Sequence, residues 1–300
     1  MNAGHCQLTI TTHLQLGRVS NLPTVWSNVI AASVLSGATL SPLSLLCAII
    51  ALSLFYVAGM YLNDAFDADI DAIERPERPI PSGRISTGQV TASALVLFIA
   101  GFLGLWLSRT TAPAALGSGS LGWLTSAIVL LVFIVAYNKH HKSNNYSPVL
   151  MAACRAMVLI TASYTLSTSL PTTVLFGATM GFFWLMGLTY IAKQEPSQYL
   201  QVSWPLILLC IPALAGLFIS AEQPVAAIPL AALIVVITVS VRRLRNGATG
   251  AIGASVGLLI AGISLLDALL IASQGAWLWM LFAIGCFALT LMLQRRISGT

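Results

Sequence analysis

Long apolar segments separated by short polar ones recur along the whole chain. An apolar run of about 20 residues is what a helix needs to cross the hydrocarbon core of a bilayer. Prolines stand at the start of several runs, where a helix tolerates them because its first N–H groups lack intrahelical partners. The pattern predicts ten membrane-spanning helices, at residues 22–40, 42–62, 88–107, 120–137, 148–168, 171–192, 202–220, 224–241, 252–272 and 276–294.

Composition supports a membrane location. Of the 300 residues, 57% are hydrophobic and only 8% are charged, whereas a soluble domain carries roughly 25% charged residues. We therefore expect an all-α polytopic membrane protein, a helical bundle of nine to ten transmembrane helices that forms one domain over residues 1–300. The cysteines include no C-x-x-C pair, so neither a zinc site nor a disulfide framework is indicated.

The positive charges lie almost entirely on one side of the predicted bundle. All lysines and arginines except Arg109 fall on the side of the N-terminus, and Arg155 lies within a helix about two turns from that side. Because cytoplasmic loops are enriched in Lys and Arg, we expect both termini in the cytoplasm of a bacterial inner membrane. No nucleic-acid partner is expected, since the cations are not grouped with aromatic residues on a soluble face.

One stretch, NDAFDADIDAIERPERPIPSG at residues 63–83, concentrates the carboxylates. Six of the nine acidic residues of the chain lie in it: Asp64, Asp67, Asp69, Asp71, Glu74 and Glu77. Asn63, Asp67 and Asp71 are four residues apart, and Asp64 precedes Asp67 by three, so one helix face would carry all four. Like charges this close repel one another. A hard cation such as Mg²⁺, which binds through one or two carboxylates and substrate phosphates, would offset that repulsion.

Arginines follow these acids at once. Arg75, Arg78 and Arg84 would supply paired N–H donors for phosphate oxygens. Positive and negative groups would then alternate in space: the carboxylates, the metal ion, the phosphate and the guanidinium groups. The stretch therefore predicts a site for a divalent cation together with a phosphorylated ligand, and the alternative interpretation is a solvated loop that binds nothing.

The same stretch resembles the first aspartate-rich motif of the UbiA superfamily of intramembrane prenyltransferases. The pattern N-D-x-x-D-x-x-x-D, then R-x-x-R-P and a glycine, is matched by Asn63, Asp64, Asp67, Asp71, Arg75, Arg78, Pro79 and Gly83. The resemblance extends more weakly over about residues 15–272. Arg18 and Asn21 stand where the family has polar residues entering its first helix, and YNKHHK (137–142) resembles its tyrosine-and-lysine segment. The span at 276–294 would be an addition to the usual nine helices.

The resemblance implies a bundle around a central cavity that opens sideways to membrane lipid. An isoprenoid diphosphate would be held there with Mg²⁺ between two aspartate-rich motifs, and its isoprenyl group would pass to a lipophilic, aromatic acceptor. The acids Asp64, Asp67 and Asp71 would be catalytic, and with Asn63 and Glu195 they would hold the metal. The expected diphosphate-binding residues are Asn21, Asn63, Arg75, Arg78, Lys139, Lys142, Arg155 and Lys193.

The second aspartate-rich motif is altered. The matching segment, GLTYIAKQEPSQ (187–198), has Thr189 and Lys193 where aspartates are expected, and one acid, Glu195. Lys193 could replace the charge of one metal, or Glu195 could be a metal ligand. As a third interpretation, the chain binds or carries an isoprenoid or lipid precursor without ionising it. An altered second motif is similar to that of the EboC-like branch of the superfamily.

Two ionisable residues lie inside predicted spans, where a charge is costly and is usually paired or functional. For Arg155 we expect contact with the diphosphate or the acidic stretch, with a structural ion pair as the alternative. Asp267 is expected to reach the membrane surface or to form a local hydrogen bond. His140 and His141 have no metal-ligand partners at a suitable spacing, so we expect both at the surface.

Overall fold

The computed structural model describes residues 3–39, 41–112, 120–141, 144–167, 169–195 and 200–297, with side chains from residue 10 onward. These residues form α-helices and short 3₁₀ turns, and no strand occurs among them. The helices are α1 (Ala3–Leu16), α2 (Leu22–Leu35), α3 (Pro42–Phe66), α4 (Ala68–Glu74), α5 (Thr87–Thr111), α6 (Gly122–His140), α7 (Ser147–Leu166), α8 (Thr172–Ala192), α9 (Pro205–Glu222), α10 (Ala227–Asn246), α11 (Ala251–Ala272) and α12 (Trp277–Gln294).

Each predicted span coincides with one of these helices. In the described part of the chain, nine helices, α3 and α5 to α12, are long and apolar enough to cross a membrane. The first predicted span, 22–40, corresponds to α2, whose 14 residues reach only about 21 Å and fall short of the ~30 Å hydrocarbon core. The protein is therefore an all-α, multi-pass integral membrane protein, as predicted, although α2 is shorter than a full span.

Hydrogen bonds between helix ends mark the two ends of the bundle. At one end of the bundle, Arg109 of α5 donates from Nη1 to the carbonyl oxygen of Tyr164, near the end of α7, at 3.3 Å. At the opposite end, Gln294 of α12 donates from Nε2 to Oδ1 of Asn21, just before α2, at 3.0 Å. We call this opposite end, which also carries residues 63–84, the polar end.

Close packing fixes α3, the helix that leads into the acidic stretch, against α5. A Cβ atom at Gly104 would lie 2.9 Å from Cβ of Ala51, and one at Gly101 would lie 2.7 Å from the ring of Phe55. These distances are shorter than a carbon–carbon contact allows, so glycine is required for this approach. The acidic stretch thus connects two helices that pack closely against each other.

Helix α11 forms the centre of the bundle and packs against α2, α8, α10 and α12. Trp184 of α8 is fully buried, and its Nε1 donates to the carbonyl oxygen of Leu259 in α11 at 3.0 Å. Gly262 leaves room for the indole ring, because a Cβ there would lie 2.9 Å from it. Helix α12 covers α11 and α2 and brings its last residue to the polar end.

Candidate functional site

The predicted acids lie where α3 ends and α4 begins. Asn63 and Asp64 are in the last turn of α3, Asp67 joins the two helices, and Asp71 lies within α4. All four side chains are buried, with exposed fractions between 2% for Asp71 and 7% for Asp64. The alternative of a solvated loop is therefore wrong for these four residues.

Two arginines neutralise the acids of α3 and α4. Nη1 of Arg78 lies 2.6 Å from Oδ2 of Asp71 and 3.6 Å from Oδ1 of Asp64. Nη2 of Arg18 lies 3.5 Å from the same Asp64 oxygen and donates to Oδ1 of Asn63 at 3.1 Å. Asp64 thus lies between two guanidinium groups. The repulsion expected among the acids is already reduced by cations of the chain itself.

His141, directly after α6, provides a further contact to the acids. Nε2 of His141 lies 3.2 Å from Oδ2 of Asp67, and Nδ1 lies 3.1 Å from the carbonyl oxygen of Asn138. Both ring nitrogens of His141 thus contact oxygen atoms of neighbouring residues. Asn138 also accepts a hydrogen bond from Asn63 at 3.3 Å and donates to the carbonyl oxygen of Gly59 at 3.0 Å. The surface location expected for His141 is therefore wrong, because its ring packs against Asp67.

A cavity of about 370 Å³ opens at the polar end; we call it the polar cavity. Charged side chains of both signs line it, namely Arg18, Asp64, Arg75, Glu77, Arg78, Arg84 and Glu195. Guanidinium groups bind phosphate oxygens through paired N–H donors, and four of them converge here on three carboxylates. The polar cavity therefore suits a multiply charged anion such as a diphosphate.

A second cavity, of about 160 Å³, lies within the bundle; we call it the apolar cavity. Helices α2, α3, α6, α7, α8 and α11 line it, mostly with side chains such as Phe55, Met60, Ile134, Val158 and Ile263. Arg18 lines both cavities. A polar space and an apolar space thus meet at one guanidinium group, which matches a ligand with an anionic head and a hydrocarbon tail.

Arg18 is held in an uncommon backbone conformation. Its φ of 42° and ψ of 47° lie in the left-handed region, which costs a non-glycine residue about 1–2 kcal/mol. The following 3₁₀ turn is fastened through Asn21, whose N–H donates to the carbonyl oxygen of Arg18 at 3.0 Å. Asn21 donates to the hydroxyl of Tyr56 at 3.3 Å and accepts from Gln294 at 3.0 Å. Asn21, predicted to bind diphosphate, lies in the turn that orients Arg18.

In the segment of the altered second motif, Lys193 forms hydrogen bonds with the connection between α6 and α7. Nζ of Lys193 donates to the carbonyl oxygens of His141 and Asn144 at 3.3 and 2.7 Å, and to Oγ of Ser147 at 3.0 Å. Partial burial against these groups lowers the pKa of the Lys193 amine. The amine thus ties the connection between α6 and α7. Glu195 does line the polar cavity, where its Oε2 lies 3.9 Å from Nη2 of Arg75.

The remaining predicted residues are dispersed. Lys139 is exposed at the end of α6 and is not among the described residues that line either cavity, and Lys142 lies outside the described residues.

Arg155 lines the apolar cavity and pairs with Asp267, Nη2 to Oδ2, at 3.3 Å. The ion pair, which was the alternative interpretation of Arg155, is therefore present. Asp267 does not reach the membrane surface, because it is only 2% exposed.

The oxygen atoms of these acids indicate whether they could coordinate Mg²⁺. In the described part of the chain, no three His, Cys, Asp or Glu side chains form a group that could hold a metal. Oδ1 of Asp64, however, is buried without a hydrogen-bond partner among the described residues. Mg²⁺ is commonly held by one or two carboxylates, with water and phosphate oxygens as the other ligands. The acids therefore fit Mg²⁺ in combination with a phosphate ligand, and Mg²⁺ itself stays a prediction.

Two residues that contact the predicted acids, Arg18 and His141, were not assigned to the site from the sequence. Their segments did carry a signal, because each contains polar residues at the end of a span that emerges at the polar end. The pattern does not show which side chains of those segments turn inward. That depends on how the ends of α2, α3 and α6 pack.

Comparison with protein families decides the assignment of the chain. A model of the UbiA prenyltransferase family matches residues 21–248. The chain belongs to the UbiA prenyltransferase family. The resemblance inferred from the first aspartate-rich motif is thereby confirmed. The matched segment ends before α11, so Asp267 and Gln294 lie outside it.

Curated relatives share shorter segments with this UbiA family member. The digeranylgeranylglyceryl phosphate synthase of Methanoculleus marisnigri is 30% identical over 128 residues, which are 43% of this chain and 43% of that protein. The enzyme of the same name from Sulfurisphaera tokodaii is 32% identical over 97 residues, 32% of this chain and 35% of that protein. Chloroplastic chlorophyll synthase of Arabidopsis thaliana is 45% identical over 74 residues, 22% of this chain and 19% of that protein. The chain thus spans less than half the length of these curated relatives.

Solved structures show the same fold over most of the chain. A structure described as digeranylgeranylglyceryl phosphate synthase in membranes has a TM-score of 0.60 at 18% identity, and covers 88% of this chain and 98% of that one. The apo structure of a UbiA homologue from Aeropyrum pernix K1 has a TM-score of 0.60 at 17% identity, and covers 85% and 96%. The protein therefore has the helical fold of UbiA membrane proteins.

Proposed function

We propose that this UbiA family member transfers an isoprenyl group from an isoprenoid diphosphate to a lipophilic, aromatic acceptor within the membrane. The observation that supports this most directly is the meeting of the polar and apolar cavities at Arg18. The diphosphate head would lie in the polar cavity among the guanidinium groups, and the isoprenyl chain would lie in the apolar cavity. Both parts of such a substrate would be matched in one continuous site.

The residues around the polar cavity suit the departure of a diphosphate. In the transfer, the bond between the allylic carbon and the diphosphate oxygen breaks, and its electron pair leaves with the diphosphate. Electrons of the acceptor ring form the new carbon–carbon bond, and the ring then loses a proton to water or to the diphosphate. Arg18, Arg75 and Arg78 would stabilise the negative charge that grows on the leaving group. The apolar cavity would keep water away from the allylic cation.

We propose Mg²⁺ as the cofactor, held by Asp64, Asp67, Asp71 and Asn63, with Glu195 as a further candidate across the polar cavity. When bound, the metal would neutralise charge on the diphosphate and make it a better leaving group. The buried Oδ1 of Asp64, which accepts no hydrogen bond among the described residues, supports this proposal. We also propose that the polar end faces the cytoplasm of a bacterial inner membrane, because cytoplasmic segments are enriched in Lys and Arg.

Purified protein in lipid nanodiscs, labelled prenyl diphosphates of several chain lengths and a panel of acceptors would test this function. We expect release of diphosphate and formation of a prenylated acceptor, both dependent on Mg²⁺. Absence of release with every donor and acceptor, in a protein that binds none of the donors, would refute the proposal.

A second function, binding or carriage of an isoprenoid or lipid diphosphate without chemistry, is favoured by one observation. Lys193 occupies a position where the family has an acid, and its amine is bound to loop oxygens. The same assay separates the two functions. Tight binding of a prenyl diphosphate that is never cleaved would support carriage and exclude transfer.

A further inference from the structure

Arg155 has hydrogen-bond donors that the protein does not use. Its side chain is 10% exposed, and it lies in the middle of α7, inside the membrane part of the bundle. Nη2 makes both of its hydrogen bonds, to the carbonyl oxygen of Thr24 at 2.6 Å and to Oδ2 of Asp267 at 3.3 Å. A guanidinium group carries five N–H donors. Among the described residues, none accepts from Nε or Nη1.

The unused donors belong to a side chain that lines the apolar cavity. They are not among the fully enclosed, unpartnered atoms of the described residues, so they border open space. An unpaired polar group in an apolar, desolvated space is costly. A ligand oxygen placed there would remove that cost. The hydrocarbon chain of an isoprenoid has no such oxygen, and its diphosphate is provided for in the polar cavity.

The charge around Arg155 is already balanced. Asp267 accepts from Oγ of Ser27 at 2.6 Å and from Nδ2 of Asn28 at 3.1 Å, in addition to Arg155. The carboxylate and the guanidinium therefore form a neutral pair with α2. A carboxylate or phosphate ligand at this point would add an uncompensated charge to a medium of low dielectric constant, which is unfavourable. A neutral oxygen would add none.

Tyr56 faces the same space. Its hydroxyl oxygen accepts from Asn21 at 3.3 Å, and the side chain lines the apolar cavity together with Arg155. Its own O–H has no acceptor among the described residues. Two kinds of donor thus face one apolar space, and Asn21 connects Tyr56 to the turn of Arg18, where the donor substrate would begin.

We propose that Arg155, fixed by Asp267, binds a neutral carbonyl or phenolic oxygen of the acceptor, which places hydroquinones and simple phenols among the acceptors and disfavours acceptors with a carboxylate or phosphate. This proposal rests on the proposed function, since it assigns the second substrate of that reaction. Such a hydrogen bond would orient the ring toward the allylic carbon. Arg155 would then act on the acceptor and not on the diphosphate, which differs from the role that the sequence predicted.

The central experiment replaces the ion pair without leaving a buried charge. In the double variant Arg155→Met/Asp267→Leu, two apolar side chains take the place of the pair, an exchange that is often neutral for stability. A matched control, Ser44→Ala/Ser108→Ala, removes another buried interhelical contact, formed by Ser44 and Ser108 at 2.7–3.3 Å, from residues that line neither cavity. Arg155→Lys with Asp267 retained tests rescue by a shorter cation.

Binding of a labelled neutral hydroquinone analogue and of a labelled prenyl diphosphate is measured separately, without turnover, for each folded variant. We expect the double variant to bind the hydroquinone about tenfold or more weakly, the usual effect of a hydrogen bond from a charged group. Prenyl diphosphate affinity should stay within about twofold of the unaltered protein, a change below the worth of one hydrogen bond. Arg155→Lys should recover part of the loss, and the serine control should change neither affinity.

The opposite results would overturn the proposal. A loss of prenyl diphosphate affinity with unchanged hydroquinone affinity would show that Arg155 binds the diphosphate and not the acceptor. If the unaltered protein preferred a carboxylated phenol or a glyceryl phosphate over the neutral hydroquinone, the proposal that Arg155 binds a neutral acceptor oxygen would be wrong. Because both ligands are measured by binding, a protein that binds the hydroquinone through Arg155 but transfers nothing would refute the proposed function and not this one.

Discussion

The ends of α3 and α8 both reach the polar cavity, but they carry different chemistry. At the end of α3 and in α4, Asp64, Asp67 and Asp71 are buried, and each contacts a basic side chain of Arg18, Arg78 or His141. At the end of α8, Lys193 is engaged by loop oxygens, and Glu195 is exposed enough to pair only loosely with Arg75. The site is therefore asymmetric. A diphosphate would be recognised by guanidinium groups and by one acidic wall, formed by Asp64, Asp67 and Asp71. The second wall, formed by Lys193 and Glu195, is not equally acidic.

The largest effect is expected on the acidic wall. Asp67→Ala and Asp71→Ala should each reduce prenyl transfer by roughly 100-fold or more, the range seen when a group that stabilises transition-state charge is removed. Product formation per amount of folded protein, with and without a chelator of Mg²⁺, measures this. Asp69→Ala is the matched control, since Asp69 is an exposed acid of the same short helix. Equal turnover of the Asp67 and Asp69 variants would contradict the role of this wall.

Arg78 should be the next most sensitive residue, because it joins Asp64 and Asp71 at the edge of the polar cavity. Arg78→Met is expected to weaken prenyl diphosphate binding by about 10- to 100-fold, as for other charge-assisted contacts. Equilibrium binding of a labelled donor measures the change. Arg242→Met removes an exposed arginine of α10 at the same end of the bundle and should leave affinity unaltered. Similar losses in both variants would indicate a general effect of charge.

The second wall should respond much less. Lys193→Met is expected to change prenyl diphosphate affinity by less than about threefold. The reason is that the amine already donates to three protein oxygens, so its N–H donors are used within the protein and contribute little to ligand binding. The same binding assay applies. If Lys193→Met lost as much affinity as Arg78→Met, Lys193 would bind the diphosphate after all, and the comparison between the two walls would fail.

Much of the fold and of the acidic wall is predictable from the sequence, because both depend on local spacing. Apolar runs of membrane length predicted every long helix, and the spacing of Asp64, Asp67 and Asp71 indicated an acidic cluster, although these acids lie on two helices that meet at Asp67 and not on one helix. The second wall is different. The sequence shows that Lys193 replaces an acid, but only the packing of α8 against the connection between α6 and α7 shows that its amine turns toward Asn144.

The role of Arg18 was hidden for a related reason. A left-handed conformation at an arginine has no sequence signature, since Gly, Asn and Asp are the residues that commonly adopt it. The turn is held partly by Gln294, which lies far away in the sequence and beyond the matched family segment. Contacts of this kind follow from tertiary packing and not from any periodicity. The same holds for the pairing of Arg155 with Asp267.

A small effect is also expected at Gln294. Gln294→Leu should weaken prenyl diphosphate binding by about two- to fivefold, because it removes one hydrogen bond from the turn that orients Arg18. A double-mutant cycle with Arg18→Ala measures whether the two residues act together. In the Arg18→Ala background, Gln294→Leu should have no further effect. Additive losses would mean that Gln294 stabilises α12 without acting on Arg18.

A structure of the protein with an uncleavable prenyl thiodiphosphate and Mg²⁺ tests the central claim most directly. We predict that the diphosphate head lies in the polar cavity, within hydrogen-bond distance of Arg18 and Arg78, with the metal at Asp64 and Asp67. The isoprenyl chain should continue past Arg18 into the apolar cavity. A head bound away from these residues, or a chain that lies on the lipid-facing surface of the bundle, would contradict the account.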